Sequence, residues 1–102
     1  MSELSVALIV RIVAKPGKET QVGRFLAGAL PLAQAERFTP VWFALQTGPN
    51  VFYIVDAFGS DADRAQHLQG TIAKALMAQA EELLSEAPTI ENAAVLGAKV
   101  VV

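Results

Sequence analysis

The sequence predicts a single α+β domain with the element order β-α-β-β-α-β. Its 102 residues are enough for one hydrophobic core and too few for two. Hydrophobic residues make up 53% of the chain and charged residues 18%, against about 25% charged residues in a typical soluble domain, so the chain is not disordered. Runs rich in Val and Ile alternate with apolar residues at helical spacing, which is typical of alternating strands and helices.

The first strand and the first helix are predicted in residues 5–35. Residues 5–14, SVALIVRIVA, are almost continuously apolar, as expected for a strand that is buried on both faces. The turn at residues 15–18, KPGK, ends this strand. Residues 19–35 follow as a helix that Pro31 should kink or end, because proline has no backbone donor. The apolar stripe of this helix comprises Val22, Phe25, Leu26, Ala29 and Ala33.

A β-hairpin is predicted in the middle of the chain. Residues 39–47, TPVWFALQT, and residues 51–59, VFYIVDAFG, are rich in the aromatic and β-branched residues that favour strands. Residues 48–50, GPN, have turn chemistry and separate the two runs. The second and third strands should therefore be antiparallel neighbours.

The second helix and the fourth strand complete the predicted fold. Ser60 is expected to cap the helix, with Asp63 in the capping-box position. The helix is predicted from about residue 61 to residue 80 or beyond, and Pro88 ends it. Residues 93–102, AAVLGAKVVV, predict the fourth strand. The apolar stripe of the second helix comprises Ala65, Leu68, Ile72, Ala75, Leu76 and Leu83. This order is that of the ferredoxin-like fold, a four-stranded antiparallel sheet with two helices on one face.

Both faces of the predicted sheet are apolar. In the first strand, Val6, Leu8, Val10 and Ile12 point one way, and Ala7, Ile9 and Val13 point the other. Two helices can cover only one face, so a second copy of the chain is expected to cover the other and form a homodimer. Such an interface would bury on the order of 2,000 Å² or more. The alternative is a monomer with an open apolar face, which is prone to aggregation.

The composition disfavours several classes of function. The chain has no Cys and one His, so disulfides are excluded, no metal site is predicted, and the composition suits the cytoplasm. The basic residues are scattered and the net charge is −2, so nucleic acid is not an expected partner. No apolar run approaches the roughly 18 residues of a membrane span, and no glycine-rich phosphate loop is present.

Asp56 and His67 are the candidates for acid–base chemistry. Alternation along the third strand places Asp56 on the same face as Phe58, toward the helices, where removal from water would make it a candidate base. Alternatively, Asp56 is solvated at the strand end or binds the backbone or an Arg. His67 lies about 100° from Leu68 around the helix, on the flank of the buried face, where it can reach a cavity and pair with Asp63. Alternatively, His67 is a polar residue at the edge of the core.

Aromatic residues are concentrated in the central hairpin. Trp42, Phe52, Tyr53 and Phe58 can form part of the core, because aromatic side chains supply much of the buried area of a domain. They can instead line a pocket for a flat organic molecule. Alternation along the strands places Tyr53 on the face opposite to Phe52, and Trp42 opposite to Phe43.

The sequence resembles the antibiotic biosynthesis monooxygenase family over residues 5–99. The segments that carry the resemblance are KPGK at 15–18, residues 39–45 with Trp42-Phe43, FYIVDAF at 52–58, AQHLQG at 65–70 and VLGAK at 95–99. The resemblance implies a dimeric α+β barrel with a cavity between the sheet and the helices.

The resemblance also implies an oxygenase that uses neither metal nor flavin. In such enzymes a phenolic or quinol substrate loses a proton, and its anion reduces O₂ in a dry pocket that supplies a proton acceptor and hydrogen bonds. We therefore predict a cofactor-independent monooxygenase that acts on a small aromatic or quinol-like compound, with His67 and Asp56 as catalytic residues. The predicted substrate-binding residues are Trp42, Tyr53, Phe58 and Phe52. The alternative is a dimer of the same fold that binds a small ligand without turnover.

The sequence departs from the haem-degrading relatives of this fold. Those proteins have an Asn in the first strand, a Trp near the end of the third strand and a His in the second helix. His67 matches the third position, but Phe58 occupies the second and the first strand has no Asn. One match of three argues against haem degradation.

Overall fold

The computed structural model describes residues 3–101 of the chain. These residues contain four strands and four helices. In chain order they are β1 (Val6–Val13), α1 (Glu19–Gly28), α2 (Leu30–Ala35), β2 (Val41–Gln46), β3 (Val51–Phe58), α3 (Asp61–Leu68), α4 (Thr71–Leu83) and β4 (Thr89–Ala94). The strands form one antiparallel sheet in the order β2-β3-β1-β4. The predicted ferredoxin-like arrangement is confirmed, with each predicted helix present as two shorter ones.

The first helical segment is interrupted at Ala29. Pro31 lies in the first turn of α2, where a missing backbone N–H has no helical partner to lose. The predicted effect of Pro31 is therefore observed as a new helix start. Gln69 and Gly70 interrupt the second helical segment, and α4 then continues to Leu83.

The second interruption changes which residues of α3 are buried. The stripe predicted for a continuous helix placed Ala65 and Leu68 on the core side, but both are exposed. His67 is instead the buried residue of α3. The prediction is wrong for these two residues because helical spacing cannot be extrapolated through residues that are not helical. In α4, Ile72, Leu76 and Leu83 are buried as predicted.

The hydrophobic core lies between the four helices and one face of the sheet. Every second residue of β1 and β3 points into it, because side chains alternate along a strand. Asp56 is on this face and has no exposed surface. The largest fully buried apolar side chains are Phe58, Leu8, Ile12, Leu26, Ile72 and Val22.

The other face of the sheet is uncovered within the described residues. It carries Phe43 and Leu45 of β2, with 54% and 45% of their surface exposed, and the half-buried Ile9 and Val55 of the central strands. This face is apolar, as predicted from the sequence. Arg11 is also on it and contacts Glu86 at 3.5 Å, an exposed pair that adds little stability.

The fourth strand is displaced from its predicted position. It spans Thr89–Ala94 and pairs with β1, whereas residues 95–101 have no regular secondary structure, and Val102 lies outside the described residues. The prediction for residues 93–102 followed an apolar run, but β4 is an exposed edge strand, so its sequence TIENAA is not selected for burial. Leu96 and Val101, in the apolar run, are 99% and 82% exposed.

No helix in residues 3–101 is long and apolar enough to cross a membrane.

Candidate active site

The imidazole of His67 lies between two carboxylates. Its Nδ1 is 2.7 Å from Glu36 Oε1 and its Nε2 is 2.9 Å from Asp56 Oδ2. The side chains of His67, Glu36 and Asp56 are only 6%, 10% and 0% exposed. We call these three residues the buried triad.

Three different parts of the fold position the buried triad. Asp56 is on the helix-facing side of β3, and His67 is in the last turn of α3, which packs against β1 and β3. Glu36 directly follows α2 in an extended conformation, with φ −86° and ψ 104°, so the chain turns toward the sheet at this residue. The Phe58 ring lies beside the imidazole, with centroids 5.3 Å apart and planes inclined by 44°.

Thr39 and Gly70 fix the position of the Glu36 carboxylate. The Thr39 hydroxyl donates a hydrogen bond to Glu36 Oε1 at 2.8 Å, on the same oxygen that contacts His67. A Cβ at Gly70 would lie 2.9 Å from Glu36 Oε2 and 3.2 Å from the His67 carbonyl oxygen. The carboxylate can occupy this position because residue 70 has no side chain.

The two carboxylates raise the pKa of His67 above its usual value of 6.5. Burial is the largest single effect and by itself lowers the pKa, because it disfavours the charged imidazolium. Hydrogen bonding and charge from Asp56 and Glu36 act in the opposite direction and together outweigh burial. His67 is therefore held toward its protonated form at neutral pH.

The two carboxylate contacts of His67 differ in kind. Its contact with Glu36 has the geometry of a hydrogen bond. Its contact with Asp56 is within ion-pair distance, but within residues 3–101 neither Asp56 oxygen has an aligned hydrogen-bond donor. Hydrogen bonding and charge from Asp56 both contribute to the raised pKa of His67, and Asp56 Oδ1 has no hydrogen-bond partner within residues 3–101.

The geometry favours proton transfer over metal binding. The carboxylates contact opposite nitrogens of one imidazole ring, so the triad cannot converge on a single ion. Across residues 3–101 no group of three or more His, Cys, Asp or Glu side chains could hold a metal ion. A carboxylate–imidazolium–carboxylate arrangement can instead pass a proton from one group to the next.

Trp42 and Phe58, two of the predicted substrate-binding residues, lie close to the buried triad. Trp42 pairs directly with Asp56 across β2 and β3 and points to the same face of the sheet. Trp42 also lines a surface cleft of about 290 Å³. The other residues that line it are Leu30, Ala33, Gln34, Thr39 and Pro40.

The structure does not bring the other two predicted binding residues to the same place. Phe52 is 4% exposed and belongs to the main hydrophobic cluster, with Val10 and Ile12. Tyr53 points to the uncovered face of the sheet, because it alternates with Phe52 and Ile54 along β3. The sheet therefore separates Tyr53 from the imidazole of His67.

Sequence reasoning missed Glu36 and Thr39. Both lie in the connection between α2 and β2, where nothing in the local pattern distinguishes a buried carboxylate from a solvated one. The sequence also predicts Asp63 as a possible partner of His67. Instead its backbone N–H donates to Ser60 Oγ at 3.1 Å, which is the capping role.

No protein-family model matches the sequence, and no curated protein matches it. The structure of the NE2512 protein of unknown function from Nitrosomonas europaea is 50% identical, covers 100% of this chain and 99% of that one, and has a TM-score of 0.96.

Two structures with lower sequence identity are named as monooxygenases. A "Putative antibiotic biosynthesis monooxygenase" from Nitrosomonas europaea is 15% identical over 94% of this chain and 93% of that one, with a TM-score of 0.80. A protein of the same name from Caulobacter crescentus is 15% identical over 93% and 92%, with a TM-score of 0.78. The chain therefore belongs to the family of the NE2512 protein, and its fold is that of the antibiotic biosynthesis monooxygenase domain family.

Proposed function

We propose that this protein is a monooxygenase that oxidises a small aromatic or quinol-like compound without a metal or flavin. The observation that carries the proposal is the buried triad of Glu36, Asp56 and His67 beside a cleft lined by Trp42 and Thr39. The names of the distant structural neighbours point to the same class of reaction.

The reaction needs a proton acceptor close to a ring that can be oxidised. Loss of a proton from the substrate gives an electron-rich anion, which transfers electrons to O₂ and forms a bond to oxygen. One oxygen atom remains in the product as a carbonyl oxygen and the other leaves as water. The substrate supplies all four electrons that reduce O₂, so a ring CH₂ group (in a phenol, that of its keto tautomer) is converted to C=O with consumption of one O₂ and release of one water.

The state of the triad assigns a role to each member. The raised pKa of His67 favours its protonated form, so we assign Asp56 as the first acceptor, and its Oδ1 has no hydrogen-bond partner within residues 3–101. His67 keeps its proton, and its positive charge stabilises the substrate anion and the developing peroxide. Glu36 touches His67 alone among these groups and acts as a positioning residue.

A homodimer is part of the proposal. Phe43 and Leu45 expose about half of their surface on the uncovered face of the sheet, next to the partly buried apolar residues of β1 and β3. Packing two such faces together would bury these side chains and complete a barrel of two sheets.

The second candidate is a dimer that binds a small ligand without turnover. The observation that favours it is that both ring nitrogens of His67 already have carboxylate neighbours within the chain. Ionisable groups that pair with each other inside a core can have a purely structural role.

Oxygen uptake separates the two candidates. The purified protein, freed of metals with a chelator, is incubated with hydroquinones, naphthols and anthrones, and consumption of O₂ and incorporation of ¹⁸O are measured. The proposal expects uptake that falls at least about 100-fold in His67→Gln and Asp56→Asn, a typical effect of losing acid–base catalysis. Asp61→Asn is the matched control, because this carboxylate is 83% exposed and pairs only with Arg64.

Equal background uptake by wild type and His67→Gln would remove the catalytic role. Thermal stabilisation by the same compounds without product would then favour the binding dimer.

A further inference from the structure

Residues 95–101 form an apolar arm that is largely exposed. The arm has the sequence VLGAKVV, and its Leu96, Val100 and Val101 are 99%, 58% and 82% exposed. The arm and residues 3–4 line an open crevice of about 420 Å³. A continuous run of exposed apolar side chains is unfavourable in water and is typical of a surface that binds another protein.

The backbone of the arm also lacks hydrogen-bond partners. The Val95 N–H donates to the Ser5 carbonyl oxygen at 3.0 Å, but within residues 3–101 no backbone hydrogen bond involves residues 96–101. A Val-rich sequence favours a strand, and a strand satisfies its backbone groups by pairing with a neighbouring strand. The arm therefore has the composition of a strand, and the neighbour that would complete it is not supplied by the described part of its own chain.

The outer edge of β2 is a free strand edge with apolar surroundings. β2 is the first strand in the order β2-β3-β1-β4, so among the described residues it pairs on one side only. Its Phe43 and Leu45 are about half exposed. Leu30, which lines the cleft beside Trp42, is 45% exposed. Such an edge can pair with a strand from another chain. The opposite edge, β4, has the polar and exposed sequence TIENAA, which suits an apolar arm less well.

The arm is long enough to reach this edge in a second copy of the chain. Seven extended residues span up to about 23 Å, and two sheets packed face to face are about 10 Å apart. The four strands of one sheet are together about 14 Å across. An arm that leaves β4 of one copy can therefore reach β2 of the other copy, whichever edges of the two sheets lie opposite each other.

We propose that the arm of each copy pairs with the free edge of β2 in the other copy and closes the cleft there. Side chains alternate along a strand, so Leu96, Ala98 and Val100 point to one face. All three are apolar, whereas the set on the other face includes Lys99. The set of three lies on the side of the helices, next to Trp42, and forms the missing wall of the cleft.

Arm exchange rests on the homodimer of the proposed function, because the arm needs a second copy to bind. It also makes the site complete only when two copies associate. The exchange itself requires no turnover, so it can be tested separately from oxygen uptake.

Engineered disulfides test the exchange directly, because the chain has no Cys. One chain carries Ala44→Cys, on the helix-facing side of β2 opposite the buried Ile54. A co-expressed chain with a mass tag carries one Cys in the arm, as Leu96→Cys, Ala98→Cys or Val100→Cys. At least one of the three pairs should form a disulfide between tagged and untagged chains on mild oxidation, which requires Cα atoms about 4.4–6.8 Å apart.

Met77→Cys replaces Ala44→Cys in the matched control. Met77 is 57% exposed and lies on α4, away from the edge of β2. The same three arm variants should give at least about 10-fold less mixed disulfide with this chain, because only the edge of β2 holds the arm within the distance that a disulfide requires.

A second variant makes the test independent of disulfide geometry. Leu96 is 99% exposed in the single chain, so Leu96→Asp can weaken only a contact with another copy. We expect dimerisation to weaken at least about 10-fold in sedimentation equilibrium, because each arm loses a buried apolar side chain. The emission of Trp42, the only tryptophan of the chain, should shift to longer wavelength as the cleft opens to water. Met77→Asp should change neither quantity.

Absence of a mixed disulfide from all three pairs overturns the exchange, as does a Leu96→Asp variant with unchanged association and emission. A dimer that consumes oxygen but forms no mixed disulfide overturns the exchange alone. A mixed disulfide in a protein that shows no oxygen uptake supports the exchange and contradicts the proposed oxygenase.

Discussion

Each face of the sheet has a feature that solvent would not select. The covered face contains Asp56, with no exposed surface, and through it contacts the imidazole of His67. The uncovered face carries Phe43 and Leu45, each about half exposed. A buried ion pair therefore lies within the apolar core on one face, and large apolar side chains are exposed on the other.

Neither the buried ion pair nor the exposed apolar face is expected to stabilise a single chain. Ion pairs in a core are costly to desolvate, and an apolar core of the same volume would often be at least as stable. An exposed apolar sheet face is also unfavourable for a monomer. The proposed active site on the covered face and the proposed dimer on the uncovered face would account for both.

The largest expected effect is at Asp56. Replacement by Ala leaves His67 with one carboxylate and a cavity in the core, so we expect a loss of about 3–5 kcal/mol in the free energy of unfolding, measured by urea denaturation. Asp61→Ala is the control and should change stability by about 0.5 kcal/mol or less, because its salt bridge is exposed. A loss below about 1 kcal/mol for Asp56→Ala would mean that the buried charge is not held by its partner.

The next effect concerns the uncovered face. Phe43→Lys would place a charge in the proposed interface twice, once from each copy, and should convert the dimer to a monomer in sedimentation velocity. Met77→Lys is the matched control, because Met77 is 57% exposed, against 54% for Phe43, and lies on α4 in the helical layer. A wild-type protein that sediments as a monomer at all concentrations would contradict the proposed role of this face.

The smallest effect is the dependence of stability on pH. The folded state binds the His67 proton more tightly than the unfolded chain, because the pKa of His67 is raised. The stabilisation is therefore fully present below pH about 6.5, the value of the unfolded chain, and is lost as pH rises through the raised pKa of the folded state. It amounts to about 1.4 kcal/mol for each unit between the two values.

Denaturation of wild type and His67→Gln over a range of pH measures this effect. The difference in stability should decrease toward alkaline pH, whereas the exposed neighbour variant Gln66→Ala should show no such trend. Because the chain has a single histidine, its proton resonances give the pKa of the folded state independently. A pKa at or below 6.5 would contradict the expected direction.

The order of elements and the hairpin could be predicted because strands and helices have different apolar spacing. The orientation of His67 could not, because it depends on the interruption at Gln69 and Gly70, and local pattern does not distinguish a short break from a continuous helix. Glu36 was missed for a different reason. A carboxylate is buried when its partners come from elsewhere in the chain, and here they come from Thr39 and from His67, 31 residues away.

Gly70 is needed for the space it leaves, since its φ of −87° is accessible to any residue. The break between α3 and α4 therefore falls at a position where the Glu36 carboxylate leaves no room for a Cβ atom. A redesign of α3 or α4 must therefore keep Gly at residue 70, because a Cβ atom there would meet the Glu36 carboxylate that contacts His67.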